Sequence, residues 1–221
     1  MKHSITSLLV SLVIISCKKE YRAADSFSEA RYTVTITGKW KSPEFTVPGG
    51  AHFTTFIGMT HNNNASLWKE NEKASPGIEV LAETGGGGPL LAEIDSMVAA
   101  KTALSLILFV APSATASATV NFNCNSNYPG ISFASMLGPT PDWFVGVSGI
   151  RLYNNNKWVA DTVINLYPYD AGTEDGDIFG YNNPATIPQQ DIHLLQPFGA
   201  MVLANGNASL ASIATARFIK Q

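Results

Sequence analysis

Between Lys101 and Asp142 the chain runs for 40 residues without one Asp, Glu, Lys or Arg. A stretch that long and uncharged is hard to keep in water, and its texture says how it is buried. Leu104 to Val110, Thr119 to Phe122 and Ile131 to Leu137 are short apolar or alternating runs rich in β-branched and aromatic residues, separated by Pro, Ser, Asn and Gly. Runs of this length with turn residues between them are strands. The segment therefore reads as mostly buried sheet with polar turns.

The flanking sequence extends the pattern. Tyr32, Val34 and Ile36 alternate with Thr33, Thr35 and Thr37, which predicts a strand with one buried face. His52 to Thr60 predicts another, entered from the turn Pro48-Gly49-Gly50. Asp142 to Tyr153 and Lys157 to Tyr167 flank Asn154-Asn155-Asn156, a turn able to take positive φ, and predict a hairpin. Asp191 to Leu195 and Ala208 to Lys220 supply closing strands. Two helices interrupt the strands. Ser75 caps Ile78 to Glu83, with Pro76 at the first helical position, and Pro89 to Lys101 has apolar residues at helical spacing, with Gly85 to Gly88 as the break between them. The fold class expected is mainly β: an antiparallel two-sheet β-sandwich with two short helices.

Charge and cysteine content narrow the function classes. Charged residues make up 14% of the 221 residues and the net charge is −3, so no basic stripe is available to neutralise phosphates, and a nucleic-acid partner is excluded. Two cysteines cannot build a disulfide framework. The first of them closes an apolar run, Leu8 to Ile15, too short to span a bilayer but suited to a secretory signal. Ile14-Ile15-Ser16-Cys17 resembles a bacterial lipobox, which implies cleavage after Ser16, lipidation of Cys17 and a membrane contact through that N-terminal lipid anchor. The organisation expected is a signal peptide over 1–16, a lipidated tether over 17–30 and one domain over 31–221, in the cell envelope, outer membrane and surface-exposed. Lys18-Lys19-Glu20 is similar to the signals that send some Bacteroidetes lipoproteins to the outer face. Cys124 reads as a small side chain within a strand.

The chemistry concentrates in one loop. Asp170, Glu174, Asp175 and Asp177 fall within eight residues. Such acids either stay fully solvated or share a cation, and calcium, with six to eight oxygen ligands and tolerant geometry, suits a sandwich loop. Asp142 starts one predicted strand and Asp170 lies just past the end of the next, so the two belong at one end of the sheet.

Around these acids stand Pro-Thr-Pro-Asp-Trp-Phe-Val-Gly-Val (139–147) and Leu-Tyr-Pro-Tyr-Asp-Ala-Gly-Thr-Glu (166–174). Both closely resemble the signature stretches of the spondin domain. Tyr32-x-Val-x-Ile-x-Gly-x-Trp40, His52-Phe53, Ile57-Gly58-x-x-His61 and Leu67-Trp68 follow in the family's order, so the resemblance covers residues 31–220. It implies a C2-domain-like sandwich holding one calcium through Asp142, Asp170 and Glu174. Glu174 stands where the family has an aspartate, so either its longer side chain reaches in or Asp175 substitutes. The resemblance also implies a binding or adhesion role toward an extracellular glycan, matrix or surface protein, without catalysis. A hydrolase acting on a polysaccharide through the clustered carboxylates is the competing expectation. No motif bears on the oligomeric state.

Other constellations lack their companions. His52, His61 and His193 have no His-x-x-x-His spacing for zinc. Ser66-Leu67-Trp68-Lys69 comes without Lys-Thr-Gly or Ser-Asp-Asn. Trp40, Trp68, Trp143 and Trp158 read as core more readily than as a glycan platform.

Overall fold

The computed structural model describes residues 27–110, 113–195, 202–206 and 211–221. The signal, the lipobox with Cys17 and most of the expected tether lie outside the described residues. The chain enters the fold slightly earlier than expected, because β1 (Glu29–Gly38) already includes residues 29 and 30.

β1 buries Tyr32, Val34 and Ile36 and turns its threonines outward. It lies between β5 (Ser117–Asn125) and β13 (Ala214–Lys220), both antiparallel to it, and β13 pairs in turn with β10 (Asp161–Leu166). The outer face of this four-stranded sheet is a polar ladder. Thr33 bonds Asn121 (2.6 Å), Thr35 bonds Thr119 (3.1 Å) and Thr37 bonds Ser117 (2.8 Å). Such cross-strand pairs each add a few tenths of a kcal/mol, up to about 1.

The second sheet runs in the order β12 (His193–Leu194), β11 (Pro168–Asp170), β7 (Trp143–Arg151), β6 (Gly130–Gly138), β3 (Phe56–His61), β4 (Ala103–Phe109). A short β2 (His52–Phe53) also pairs β6, and β8 (Tyr153–Asn154) with β9 (Lys157–Trp158) forms a separate ribbon. One face of this sheet packs on the first through Phe56, Phe133, Val145 and Val147 against Tyr32, Val34, Ile36 and Phe218. Its other face is covered by α1 (Pro76–Thr84) and α2 (Gly88–Ala99), whose Ile78, Leu81, Leu90 and Ile94 meet Ile57, Met59, Ala134 and Phe144. The sandwich is thus three layers deep on one side. β6 is buried at all nine positions because it is covered on both faces.

The helices begin much as their caps require. Ser75 Oγ accepts from Ile78 N (3.3 Å), and Glu93 of α2 reaches across to accept from Gly77 N and Ser75 Oγ, both at 2.7 Å. One side chain thereby caps α1 and ties it to α2. Gly85, at φ 71°, closes α1, whereas Gly88, expected in the break, is already helical.

Two expectations need correction. The uncharged segment is not uniformly buried: β4 is the edge strand, and Leu104, Leu106 and Leu108 stand 41–47% exposed on it. The long hairpin does not form either. Asn155 and Asn156 do take positive φ (49° and 59°), but they close only the β8–β9 ribbon. β7 stays in one sheet while β10 joins the other, and the chain crosses back at Tyr167 so that β11 pairs β7. β10 and β11 are one strand bent between two sheets, a corner device of sandwiches.

Candidate functional site

That bend brings the acids together. β11 pairs β7 with Asp170 opposite Trp143, and Ala171 N donates to Asp142 O at 3.2 Å. Asp142 and Asp170 therefore meet at one end of the sheet, as the sequence implies, although the pairing that does it is β7–β11 and not a hairpin. The turn before Asp142 is braced by Thr140, whose Oγ1 donates to Leu137 O (2.5 Å) and accepts from Trp143 N (3.2 Å).

Asp142 is fully buried. Its Oδ2 accepts from Thr173 N (2.7 Å), Thr173 Oγ1 (3.2 Å) and Glu174 N (3.1 Å), while Oδ1, also buried, has no partner. An orphaned carboxylate oxygen in the interior is costly unless a proton or a cation satisfies it. Burial pushes the Asp142 carboxyl above the ordinary range against the opposing pull of the Thr173 and Glu174 donors. Asp170 is pushed up to about 6, by burial first and then by the charge of Asp142; the bond from Gly172 N (2.8 Å) and nearby His193 pull the other way. A positive charge placed between the two carboxyls would relieve the repulsion that raises Asp170.

The loop that follows is folded against residues 183–190. Gly172 takes φ +73°, and a Cβ there would sit 2.5 Å from Gln190 O, so only glycine fits. Asp175 N donates to Pro184 O (2.7 Å), Thr186 N to Thr173 O (2.8 Å) and Gln190 N to Gly172 O (2.8 Å). Glu174 Oε2 accepts from Asn183 Nδ2 (3.3 Å), and burial raises its carboxyl. Asp175 is exposed and its Oδ1 accepts from Thr186 Oγ1 (2.6 Å). Asp170, Glu174, Asp175, Asp177 and His193 line a cavity of about 400 Å³.

Among the described residues, no three His, Cys, Asp or Glu side chains stand ready to hold an ion by themselves. A calcium ion here would rest on one or two carboxylates, completed by carbonyl oxygens and water, as hard cations allow. The orphaned Oδ1 of Asp142 fits that chemistry, and the charge of Asp142 is felt by Asp170, Glu83 and Glu174. Glu174 and Asp175 already spend carboxylate oxygens on Asn183 and Thr186.

Sequence reasoning missed three members of the site. His193 arrives beside Asp170 through β12, and Thr173 supplies two of the bonds to Asp142. Glu83 comes from the end of α1; its carboxyl is raised by burial and by the charges of Glu174, Glu79 and Asp142, and lowered by a bond with Thr173. Only the docking of α1 places Glu83 there, so no local pattern could have shown it.

The other constellations have structural roles. His61 is buried, with Nδ1 against Asn62 O and Nε2 against Ser132 Oγ, both at 2.8 Å. Ser66 Oγ donates to Trp68 O (2.7 Å) and Lys69 pairs with Glu72 (3.0 Å), so they do not form a nucleophile and base. Trp40, Trp68 and Trp143 are core. Cys124 is buried in β5, and burial pushes its thiol up to about 12.

A two-sheet antiparallel sandwich, backed by a helix pair and carrying coupled carboxyls where its bent strand returns, defines the class of domain. Residues 30–200 match the family model described as Spondin_N, and the chain belongs to that family. It is 33% identical to Spondin-2 of Homo sapiens over 172 residues, which cover 74% of this chain and 51% of the relative. It is 31% identical to Spondin-1 of Gallus gallus over 177 residues, covering 75% of this chain and 22% of that relative. The chain thus spans about half the length of the spondin-2 relatives and about a fifth of the spondin-1 relatives. No helix among the described residues is long and apolar enough to cross a membrane.

Proposed function

We propose that this chain is a spondin-domain binding module of the cell envelope, acting by adhesion to an extracellular glycan, matrix or surface protein and not by catalysis. Calcium at the Asp142 end orders its loops. The observation that carries the reading is the Asp142 carboxylate: three donors hold one oxygen, and the other is buried without a partner, beside a second raised carboxyl. Asp142 and Asp170 are the principal ligands, and the bound ion would supply the positive charge that lets both ionise. Glu174 stays a candidate although Asn183 already bonds its carboxylate, and Asp175 is a weaker one.

The lipid anchor at Cys17 and the domain limits 31–221 belong to the same proposal. They are supported by the lipobox resemblance and by the signature stretches that begin at Tyr32, with β1 adding residues 29 and 30 to the domain. The hydrolase reading is disfavoured by burial. A general acid must reach substrate, and Asp142 has no exposed surface. The test is adhesion of the full chain to arrayed glycans and matrix proteins with calcium and with chelator. Retention that depends on calcium and is lost in Asp142→Asn supports the reading, whereas turnover of a polysaccharide panel lost in the same variant overturns it.

A further inference from the structure

The bend that builds the acidic site also opens a second feature some distance along β7. β11 pairs β7 only over Trp143–Val145, and beyond that point β10 has left for the other sheet. Among the described residues, Gly146–Arg151 consequently have a strand partner on the β6 side alone. β10 likewise ends its own sheet, with β13 on one side and no strand on the other. The two edges border a cleft of about 670 Å³, lined among others by Trp68, Glu70, Tyr167, Tyr169, Asn165 and Arg151. An open strand edge inside a cleft is a template for one more strand.

The chemistry of the lining identifies the occupant. A sugar would need free ring faces, but Trp68 is buried and packs edge-on against Phe144 (5.1 Å) and Tyr169 (4.9 Å). Tyr167 alone of the three rings is substantially exposed, at 37%. The wall offers main chain instead. A bulge at the far end, where Gly149 N turns to Ser132 Oγ (2.9 Å), uses that amide on the β6 side and leaves Gly146–Ser148 as the pairing segment, with Gly146 and Val147 buried at the cleft floor and the Ser148 hydroxyl donating to Trp68 O. Past the bulge stands Arg151. Its guanidinium donates to Asn63 Oδ1, and among the described residues it pairs with no carboxylate.

We propose that this cleft binds an extended peptide segment of a partner protein, which adds a strand to the Gly146–Ser148 edge of β7 and places a carboxylate on Arg151. The site is separate from the acids around Asp142, none of which lines the cleft. Peptide binding therefore does not require calcium.

The probe is a library of octapeptides with β-branched residues at alternate positions, each made with a free C-terminal carboxylate and as the C-terminal amide, tested on the full chain in chelator. The best members should bind with Kd of about 100 μM or tighter, and should slow amide exchange at Gly146–Ser148. Methylating alternate peptide nitrogens should weaken them about tenfold by removing strand hydrogen bonds. Arg151→Gln should abolish the preference for the free carboxylate while leaving amidated peptides unaffected. The proposal is overturned if methylated peptides bind as well, if protection appears elsewhere, if no member binds, or if soluble oligosaccharides occupy the cleft instead. Because chelator is present throughout, failure of calcium binding at Asp142 leaves this result untouched.

Discussion

Replacing Asp142 with Asn separates charge from shape at the candidate metal position. The asparagine carbonyl can keep all three bonds now made to Oδ2, from Thr173 N, Thr173 Oγ1 and Glu174 N. Its amide then takes the place of the orphaned Oδ1. Without metal this exchange removes a buried charge that Asp170 opposes, so the variant should be as stable as the wild type within about 1 kcal/mol, or more stable. Calcium should reverse the order. A ligand at one hundred times its Kd adds about 2.7 kcal/mol to the state that binds it. For a domain of this size each kcal/mol raises Tm by about 2–4 °C, so the wild type should gain about 5–11 °C and Asp142→Asn nothing. Asp142→Ala separates the two effects further, because it orphans three donors and should cost about 2–5 kcal/mol in calcium and in chelator alike. Differential scanning calorimetry of the three proteins in both conditions reads all of this. A calcium-dependent rise that survives in Asp142→Asn, or a wild type indifferent to calcium, refutes the reasoning.

Asp170 predicts a pH dependence in chelator. Its folded-state pKa is raised from 3.8 to about 6, so its contribution is full below about pH 4 and is lost as pH rises through 6. The loss is on the order of 3 kcal/mol at 1.36 kcal/mol per unit, and urea midpoints between pH 4 and 7 should fall accordingly, with Asp170→Asn flattening the slope. Glu93→Ala removes both acceptors that tie α2 to the start of α1; chemical denaturation should show a cost of about 1–3 kcal/mol, and an unchanged midpoint would remove the cap from the account. Mass spectrometry of the N-terminus should find an acylated Cys17 as the first residue, and an unmodified N-terminus further along would refute the anchor.

Local pattern carried most of the fold. The alternation of Tyr32 to Thr37 became a ladder with one buried face, and Ser75-Pro76 began a helix, because both signals act within a few residues. What stayed hidden was decided by distant partners. Nothing between Lys157 and Tyr167 says that the strand will bend at Tyr167 and change sheets, since either sheet would bury its alternate residues equally well. The exposed leucines of β4 read as core because apolar character alone does not distinguish an edge strand from a central one. At the site, Asp142 and Asp170 were legible from their motifs, yet the hairpin argument reached their meeting point through the wrong pairing. His193 and Glu83 come from elements whose docking no short spacing encodes.

The central claim is that the orphaned oxygen of Asp142 exists for a cation. A crystal of the full domain grown in calcium, with data collected for calcium anomalous scattering, tests it most directly. The account predicts one anomalous peak about 2.3–2.6 Å from Asp142 Oδ1, with Asp170 in its coordination shell. A map with no peak there, and Oδ1 bonded to a water or a protonated neighbour, would contradict it.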